Sequence, residues 1–106
     1  MDGALAEYNQ AIRLKPRFAE AFSNRGVARR KKGDLEGALQ DYDEAIRLQS
    51  GYANAFNNRG AANEAKGDMD AALRDYNEAI RLKPDNALAL SNLERVRKAL
   101  ADRSKT

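Results

Sequence analysis

A repeat of 34 residues is the feature of this sequence that most constrains its fold. Shifting the chain by 34 positions aligns residues 19–52 with residues 53–86, and 19 of the 34 aligned residues are identical. Small and apolar positions recur, whereas positions expected to face solvent vary. A period of this length is typical of arrays in which each unit is a helix, a turn and a second helix. We therefore predict an all-α structure whose core lies between stacked helix pairs.

Within each unit, apolar residues have the spacing of an amphipathic helix, as Leu5, Tyr8 and Ile12 illustrate. The pattern predicts helices over residues 2–15, 18–32, 36–48, 52–66, 70–82 and 87–104. Gly33 and Gly67 are expected to end helices in the left-handed conformation, and the aspartates after them to cap the next helices. The loops are short, so consecutive helices should run antiparallel.

These helices predict a single domain over residues 1–106. We divide it into a half repeat (2–15), two repeats (19–52 and 53–86) and a C-terminal capping helix (87–104). The first segment matches the second half of a unit, so we expect it to begin the array without a partner helix. Near the end, Leu93 and Glu94 replace the Arg-Gly pair of the two repeats. That change is typical of a capping helix.

Composition excludes several kinds of chemistry. The 106 residues include neither cysteine nor histidine, which removes disulfides, ordinary zinc sites and histidine-based proton transfer. Paired acids such as Asp41 and Asp43 have no nucleophile or phosphate-binding loop near them in the sequence. We expect no enzyme activity, cofactor or metal. The net charge of +3 comes without an aromatic stacking surface, so we do not expect nucleic-acid binding. No apolar run is long enough to cross a membrane, and we expect a soluble, cytoplasmic protein.

The repeated residues resemble the tetratricopeptide repeat. The resemblance is carried by a large apolar residue, a small residue four positions later, two alanines, an aromatic residue and a terminal proline: Phe22, Phe56, Gly26, Gly60, Ala38, Ala72, Ala45, Ala79, Tyr42, Tyr76, Pro16 and Pro84. It implies an α-solenoid of antiparallel helix pairs coiled into a right-handed superhelix. Two positions depart from the family pattern, since Arg29 and Asn63 stand where it usually has an aromatic residue.

A further departure predicts ion pairs inside the repeats. The family often has an aliphatic residue where this chain has Arg25 and Arg59, and an aspartate follows each arginine sixteen positions later, at Asp41 and Asp75. The capping helix has no following acid and carries Leu93 at this position. We interpret the pattern as one ion pair per repeat. The alternative is that the arginines only lay their stems along apolar surface.

The resemblance also implies that the first helix of each unit lines a concave groove. The family's groove positions correspond here to Glu20, Ser23, Asn24, Val27, Arg30, Lys31, Asn54, Asn57, Asn58, Ala61, Glu64, Leu88, Ser91, Asn92, Arg95 and Lys98. Three of them, Asn24, Asn58 and Asn92, recur at the repeat period. An amide both donates and accepts hydrogen bonds, so this row could hold an extended peptide backbone. It could equally tie one repeat to the next, and both roles are compatible.

We therefore predict a protein-interaction scaffold that binds a peptide segment of a partner in this groove. Arg30, Lys31, Arg95 and Lys98 would favour an acidic segment. The resemblance does not extend to the clamp with which some family members grip the carboxylate tails of chaperones. That clamp has basic residues at the positions of Ser23, Leu88 and Asn92 and asparagines at those of Val27 and Asn58. Only Asn58 fits, so we do not predict chaperone-tail binding.

Self-assembly is the alternative function. Without an upstream partner helix, Leu5, Tyr8 and Ile12 would present an apolar stripe that a second copy or a swapped element could cover. The competing interpretation is that the following helix covers the stripe. The near-identity of the units and the start within a unit would also suit a trimmed or engineered array.

Overall fold

The computed structural model describes residues 2–104, and these residues form six α-helices. The helices are α1 (Asp2–Leu14), α2 (Ala19–Lys31), α3 (Leu35–Leu48), α4 (Ala53–Lys66), α5 (Met69–Leu82) and α6 (Ala87–Ser104). Their bounds lie within one residue of the predicted ones. The prediction of an all-α helical repeat is confirmed.

Glycine and aspartate form the turn inside each repeat. Gly33 and Gly67 both have φ of +91°, in the left-handed region where a residue with a Cβ is strained. The side chains of Asp34 and Asp68 then accept hydrogen bonds of 2.9 Å and 3.1 Å from the backbone N–H three residues later. These bonds satisfy N–H groups that the first turn of a helix leaves unpaired. The turn is therefore short, and the two helices of a repeat fold back on each other.

Each helix pair is held at close range by a glycine under a tyrosine ring. A Cβ atom placed on Gly26 would lie 2.5 Å from Cε1 of Tyr42, and one on Gly60 would lie 2.7 Å from Cε1 of Tyr76. Both tyrosines are fully buried. Only a hydrogen atom fits in this space, so glycine sets the distance between α2 and α3 and between α4 and α5.

Apolar contacts also join neighbouring units. Tyr42 packs with Ala62 of the next repeat, in a cluster that includes Ala38. Tyr76 packs in the same way with Leu93 and Val96 of α6. Because each core is shared by two units, the chain forms an elongated stack that measures 49 × 27 × 19 Å.

The first helices of the units are closer to one another than the second helices are. Helix α4 contacts both α2 and α6, whereas the described parts of α1, α3 and α5 make no helix-to-helix contact among themselves. In a curved stack, the elements on the inside lie closer together. We call the side formed by α2, α4 and α6 the inner face.

The glycine and tyrosine contact can be tested with Gly26→Ala. An exposed Gly→Ala change in a helix normally stabilises it by about 1 kcal/mol. Here the added methyl group would collide with the Tyr42 ring, and we expect a loss of about 1–3 kcal/mol in the free energy of unfolding. Urea denaturation measures the change.

Gly51→Ala is the matched control, because a Cβ on Gly51 meets no atom within 4 Å. We expect its unfolding midpoint to stay close to that of the parent chain. A Gly26→Ala protein that is as stable as the control would show that the close approach is not required.

Candidate peptide-binding groove

Most of the predicted groove residues on α2, α4 and α6 are accessible to solvent. Seven are exposed: Glu20, Lys31, Asn54, Leu88, Ser91, Arg95 and Lys98. Six are partly buried: Asn24, Val27, Arg30, Asn58, Ala61 and Glu64. Val27 also packs against the cluster of Ala38, Tyr42 and Ala62. The inner face therefore offers a mixed polar, charged and apolar surface.

The predicted groove set needs correction at Ser23, Asn57 and Asn92, which are buried with exposures of 1%, 7% and 8%. Asn58 Nδ2 donates a 3.1 Å hydrogen bond to Ser23 Oγ, and Asn92 Nδ2 donates one of the same length to Asn57 Oδ1. The first helices approach so closely that these side chains lie between them. They join α2 to α4 and α4 to α6 and are poorly placed to contact a peptide.

These hydrogen bonds bear on the predicted asparagine row. Two of its members, Asn58 and Asn92, use their amide N–H groups to tie one first helix to the preceding one. Asn24 has no hydrogen-bond partner for its side chain within residues 2–104 and is partly exposed. Of the three amides, Asn24 keeps both its donors and its acceptor available to a ligand.

A carboxylate near the end of α4 joins three helices. Arg95 of α6 donates from Nε and Nη2 to the two oxygens of Glu64, at 2.8 Å and 2.7 Å. The Tyr76 hydroxyl of α5 donates to the same carboxylate at 2.8 Å. The hydrogen bond from Arg95, helped by that from Tyr76, lowers the pKa of Glu64. Burial and then the bond to Glu64 raise the pKa of Tyr76. Sequence reasoning placed Glu64 and Arg95 in the groove but missed their pairing.

The predicted Arg25 and Asp41 pair is a two-bond contact in the structure. Arg25 donates from Nε and Nη2 to the carboxylate of Asp41 at 2.9 Å and 2.7 Å. Arg29, at the position where the family usually has an aromatic residue, lies 3.2 Å from the same carboxylate. Arg25 also donates to Asn9 of α1 at 2.9 Å. The Asp41 side chain is only 3% exposed, so these contacts replace its water.

The second repeat has the same arrangement. Arg59 donates to Asp75 at 2.8 Å from Nη2 and to Asp43 of the preceding repeat at 3.0 Å from Nη1. Asn63 replaces Arg29 and donates to Asp75 at 2.9 Å. Burial alone would lower the pKa of Arg59, but the bonds to Asp75 and Asp43 outweigh it and raise that pKa. Each arginine therefore links its own repeat to the second helix of the preceding unit.

The sequence carried a signal for these extra partners. Asn9 and Asp43 occupy the same repeat position, sixteen residues before Arg25 and Arg59. A polar residue therefore lies sixteen residues before each arginine, and another lies sixteen residues after it. At the corresponding position of α6, Leu93 lies in an apolar cluster with Tyr76 and Val96.

The stripe predicted for self-association is partly covered within the chain. Leu5, Tyr8 and Ile12 are partly buried, and their helix packs against α2. At the other end of the stack, Glu94 occupies the position that Gly26 and Gly60 hold in the repeats. A further helix carrying a tyrosine could not approach α6 there as α3 approaches α2.

Asp41→Asn tests the buried ion pair. Removing the charge leaves Arg25 and Arg29 without a full counter-charge, and we expect the free energy of unfolding to fall by about 3 kcal/mol. Asp85→Asn, at an exposed site, should change it by less than about 0.5 kcal/mol. Chemical denaturation of both variants makes the comparison, and equal midpoints would rule out a structural role for the pair.

Glu64→Gln should make thermal stability depend differently on pH. The pKa of Glu64 is lowered from its ordinary value of 4.5 in the folded chain. Its stabilising effect is therefore present above pH 4.5 and is lost as pH falls through the lowered pKa. At pH 7 we expect the variant to melt about 5 °C below the parent chain, with the gap closing at lower pH.

Scanning calorimetry at several pH values provides the measurement. Glu94→Gln, which removes a charge from an exposed site on α6, is the matched control. A gap that stays constant between pH 7 and pH 3 would contradict the assigned role of Glu64.

Comparisons with known proteins agree with this architecture. The sequence profile of the TPR repeat matches residues 1–31 and 28–67, and the profile of the tetratricopeptide repeat matches residues 53–86. None of the curated protein sequences matches the chain. Among the described helices, none combines the length and the apolar character that crossing a membrane requires.

Several solved structures are similar to this chain. The first TPR of Spaghetti (RPAP3), bound to the HSP90 peptide SRMEEVD, is 29% identical with a TM-score of 0.90, over 94% of this chain and 79% of that one. The first TPR domain of human RPAP3 is 28% identical with a TM-score of 0.93, over 99% and 83%. The second TPR domain of human RPAP3, in complex with the HSP70 peptide SGPTIEEVD, is 29% identical with a TM-score of 0.82, over 88% and 78%. The helix pairs, their 34-residue period and the profile matches together show that this chain belongs to the tetratricopeptide repeat family.

Proposed function

We propose that this chain is a protein-interaction scaffold that binds a peptide segment of a partner protein along its inner face. The observation that carries the proposal is the arrangement of α2, α4 and α6, which lie side by side and expose side chains of mixed character. Leu88 is 62% exposed at the start of α6. Asn54 and Ser91 are exposed as well. An apolar anchor site beside polar groups suits a peptide with alternating character.

The relatives support a peptide as the ligand class. Two structures that are 29% identical to this chain hold peptides of HSP90 and HSP70, both ending in EEVD. This chain differs at the positions that the family's chaperone clamp uses. Ser23 and Asn92 are buried between helices, and Leu88 replaces a basic residue. We therefore propose a peptide other than a chaperone tail.

The charges of the inner face favour acidic segments. Lys31 is exposed and Arg30 is partly exposed in the last turn of α2, and Lys98 is exposed on α6. The charge of Arg95 is balanced within the chain by Glu64. Three basic side chains therefore remain available on α2 and α6, and binding should weaken as salt screens them.

A peptide array probed with the intact chain tests the proposal. Asn24→Ala, Asn54→Ala and Leu88→Ala, combined in one variant, remove exposed or partly exposed groups without touching the hydrogen bonds between helices. We expect this variant to lose the peptides that the parent chain retains. Loss should be at least about tenfold in affinity, because three contacts are removed together.

Gln40→Ala with Arg74→Ala is the matched control, since both residues are exposed on α3 and α5. The control should bind the same peptides as the parent chain. A groove variant that keeps every peptide, or a control that loses them equally, would refute binding at the inner face. Chaperone-tail peptides ending in EEVD belong on the same array and should bind more weakly than the retained peptides.

Self-assembly gains no support from the contacts of α1. Leu5, Tyr8 and Ile12 are already partly buried against the rest of the chain, and Glu94 obstructs head-to-tail stacking on α6. We therefore place peptide binding ahead of association between copies. A sedimentation mass that rises with protein concentration would reverse this order.

A further inference from the structure

Arg30 differs from the other partly buried arginines of the chain. Arg25, Arg29 and Arg59 each contact a buried carboxylate. Arg30 forms no ion pair with any carboxylate in the part of the chain that the structure describes, and its Nε–H is buried without a hydrogen-bond acceptor. The C-terminal end of α2 compensates only a small part of the charge. An unpaired donor on a partly desolvated cation therefore remains destabilising.

The Tyr42 hydroxyl next to it also lacks an acceptor. Tyr42 is 0% exposed, and its buried hydroxyl has no acceptor for its proton in the described part of the chain. Burial raises its pKa, and a hydrogen bond donated by Arg30, together with the charge of Arg30, offsets part of that rise. A guanidinium group can only donate hydrogen bonds, so it cannot take the proton of the hydroxyl. Two neighbouring donors, the Arg30 Nε–H of α2 and the Tyr42 hydroxyl of α3, therefore lack an acceptor.

The next repeat shows which group completes such a site. Tyr76 and Glu64 occupy the repeat positions of Tyr42 and Arg30, 34 residues on. There one carboxylate accepts a 2.8 Å bond from the tyrosine hydroxyl and two bonds from the guanidinium group of Arg95. There a tyrosine hydroxyl and an arginine of the following helix share one carboxylate, whereas in the first repeat an arginine stands at the position of that carboxylate and the tyrosine hydroxyl has no acceptor.

We propose that Arg30 and Tyr42 form a binding site for a carboxylate group of the bound peptide. The inference rests on the proposed function, because it names one chemical group of the ligand in the same groove. Both donor atoms are buried in the unbound chain, so the Arg30 side chain has to turn outward to admit the carboxylate. This movement breaks no ion pair among the described residues. The carboxylate would then accept hydrogen bonds from the guanidinium group and the hydroxyl, as Glu64 does from Arg95 and Tyr76.

The test uses small carboxylates and does not need a peptide ligand. Nitrogen-15 NMR follows the Nε–H resonance of Arg30 while N-acetylglutamate amide, which has a side-chain carboxylate, is added at constant ionic strength. N-acetylglycine supplies a C-terminal carboxylate, and N-acetylglutamine amide supplies neither. We expect a saturating shift with one or both carboxylates and no saturating shift with the glutamine compound. Binding of the glutamate compound would indicate that the site takes an acidic side chain of the peptide. Binding of N-acetylglycine would indicate that it takes the peptide C-terminus.

Two variants make the test specific. Tyr42→Phe keeps the ring that packs on Gly26 and removes only the hydroxyl, so it should weaken carboxylate binding about threefold to tenfold. Glu64→Ala removes the carboxylate that accepts from Arg95 and Tyr76. The Arg95 Nε–H resonance should then begin to shift with the same carboxylates. The Nε–H of Arg81, which bonds to Glu78 on the surface, should not saturate in any sample.

An Arg30 resonance that does not move, or that moves equally with the glutamine compound or in Tyr42→Phe, would overturn the site. A chain that retains no peptide on the array but still binds N-acetylglutamate amide would refute the proposed function while supporting the site. Where the array retains acidic peptides, replacing the critical acid by its amide should cost about tenfold in affinity for the parent chain. The replacement should cost little for Arg30→Gln.

Discussion

The close contact between glycine and tyrosine is the constraint on which the rest of this structure depends. Gly26 and Gly60 leave no room for a Cβ, so each tyrosine ring lies directly on the backbone of the preceding helix. The rings are completely buried, so their hydroxyls depend on the few polar side chains around them. For Tyr76 the partner is a side chain of the inner face. The contact that sets the helix spacing therefore also determines which polar groups the groove must satisfy.

Buried charge takes the place of part of the apolar core. Where the family usually has aliphatic and aromatic residues, this chain has an arginine and a second hydrogen-bond donor that together surround an aspartate. Such a cluster contributes little net stability over an apolar core but tolerates few geometries. Arg59 reaches Asp43 and Asp75 at the same time only when the two repeats stack at one spacing and rotation. We interpret the cluster as a device that fixes how the repeats stack.

The sequence predicted the features that depend on spacing alone. Helix bounds follow from apolar periodicity and from the Gly-Asp turns, and the predicted pairing of Arg25 with Asp41 came from a sixteen-residue interval that occurs twice. Features that depend on how closely two helices approach were not predictable. Ser23 and Asn57 have the repeat positions of groove residues, yet the first helices lie so close that both are buried. The bonds of Glu64 escaped prediction because the equivalent residue is Arg30, so no repeated pattern marked them.

The position of Arg59 has a consequence for how the stack melts. Its guanidinium group belongs to α4 but bonds to α3 and α5, so separating the two repeats would break the bond between Arg59 and Asp43. Solenoids whose units are weakly coupled fray from their ends, one unit at a time. In this chain the electrostatic bond between units opposes such fraying. Heat should therefore disrupt the array in a single cooperative step, and a bound partner would meet either a complete groove or none.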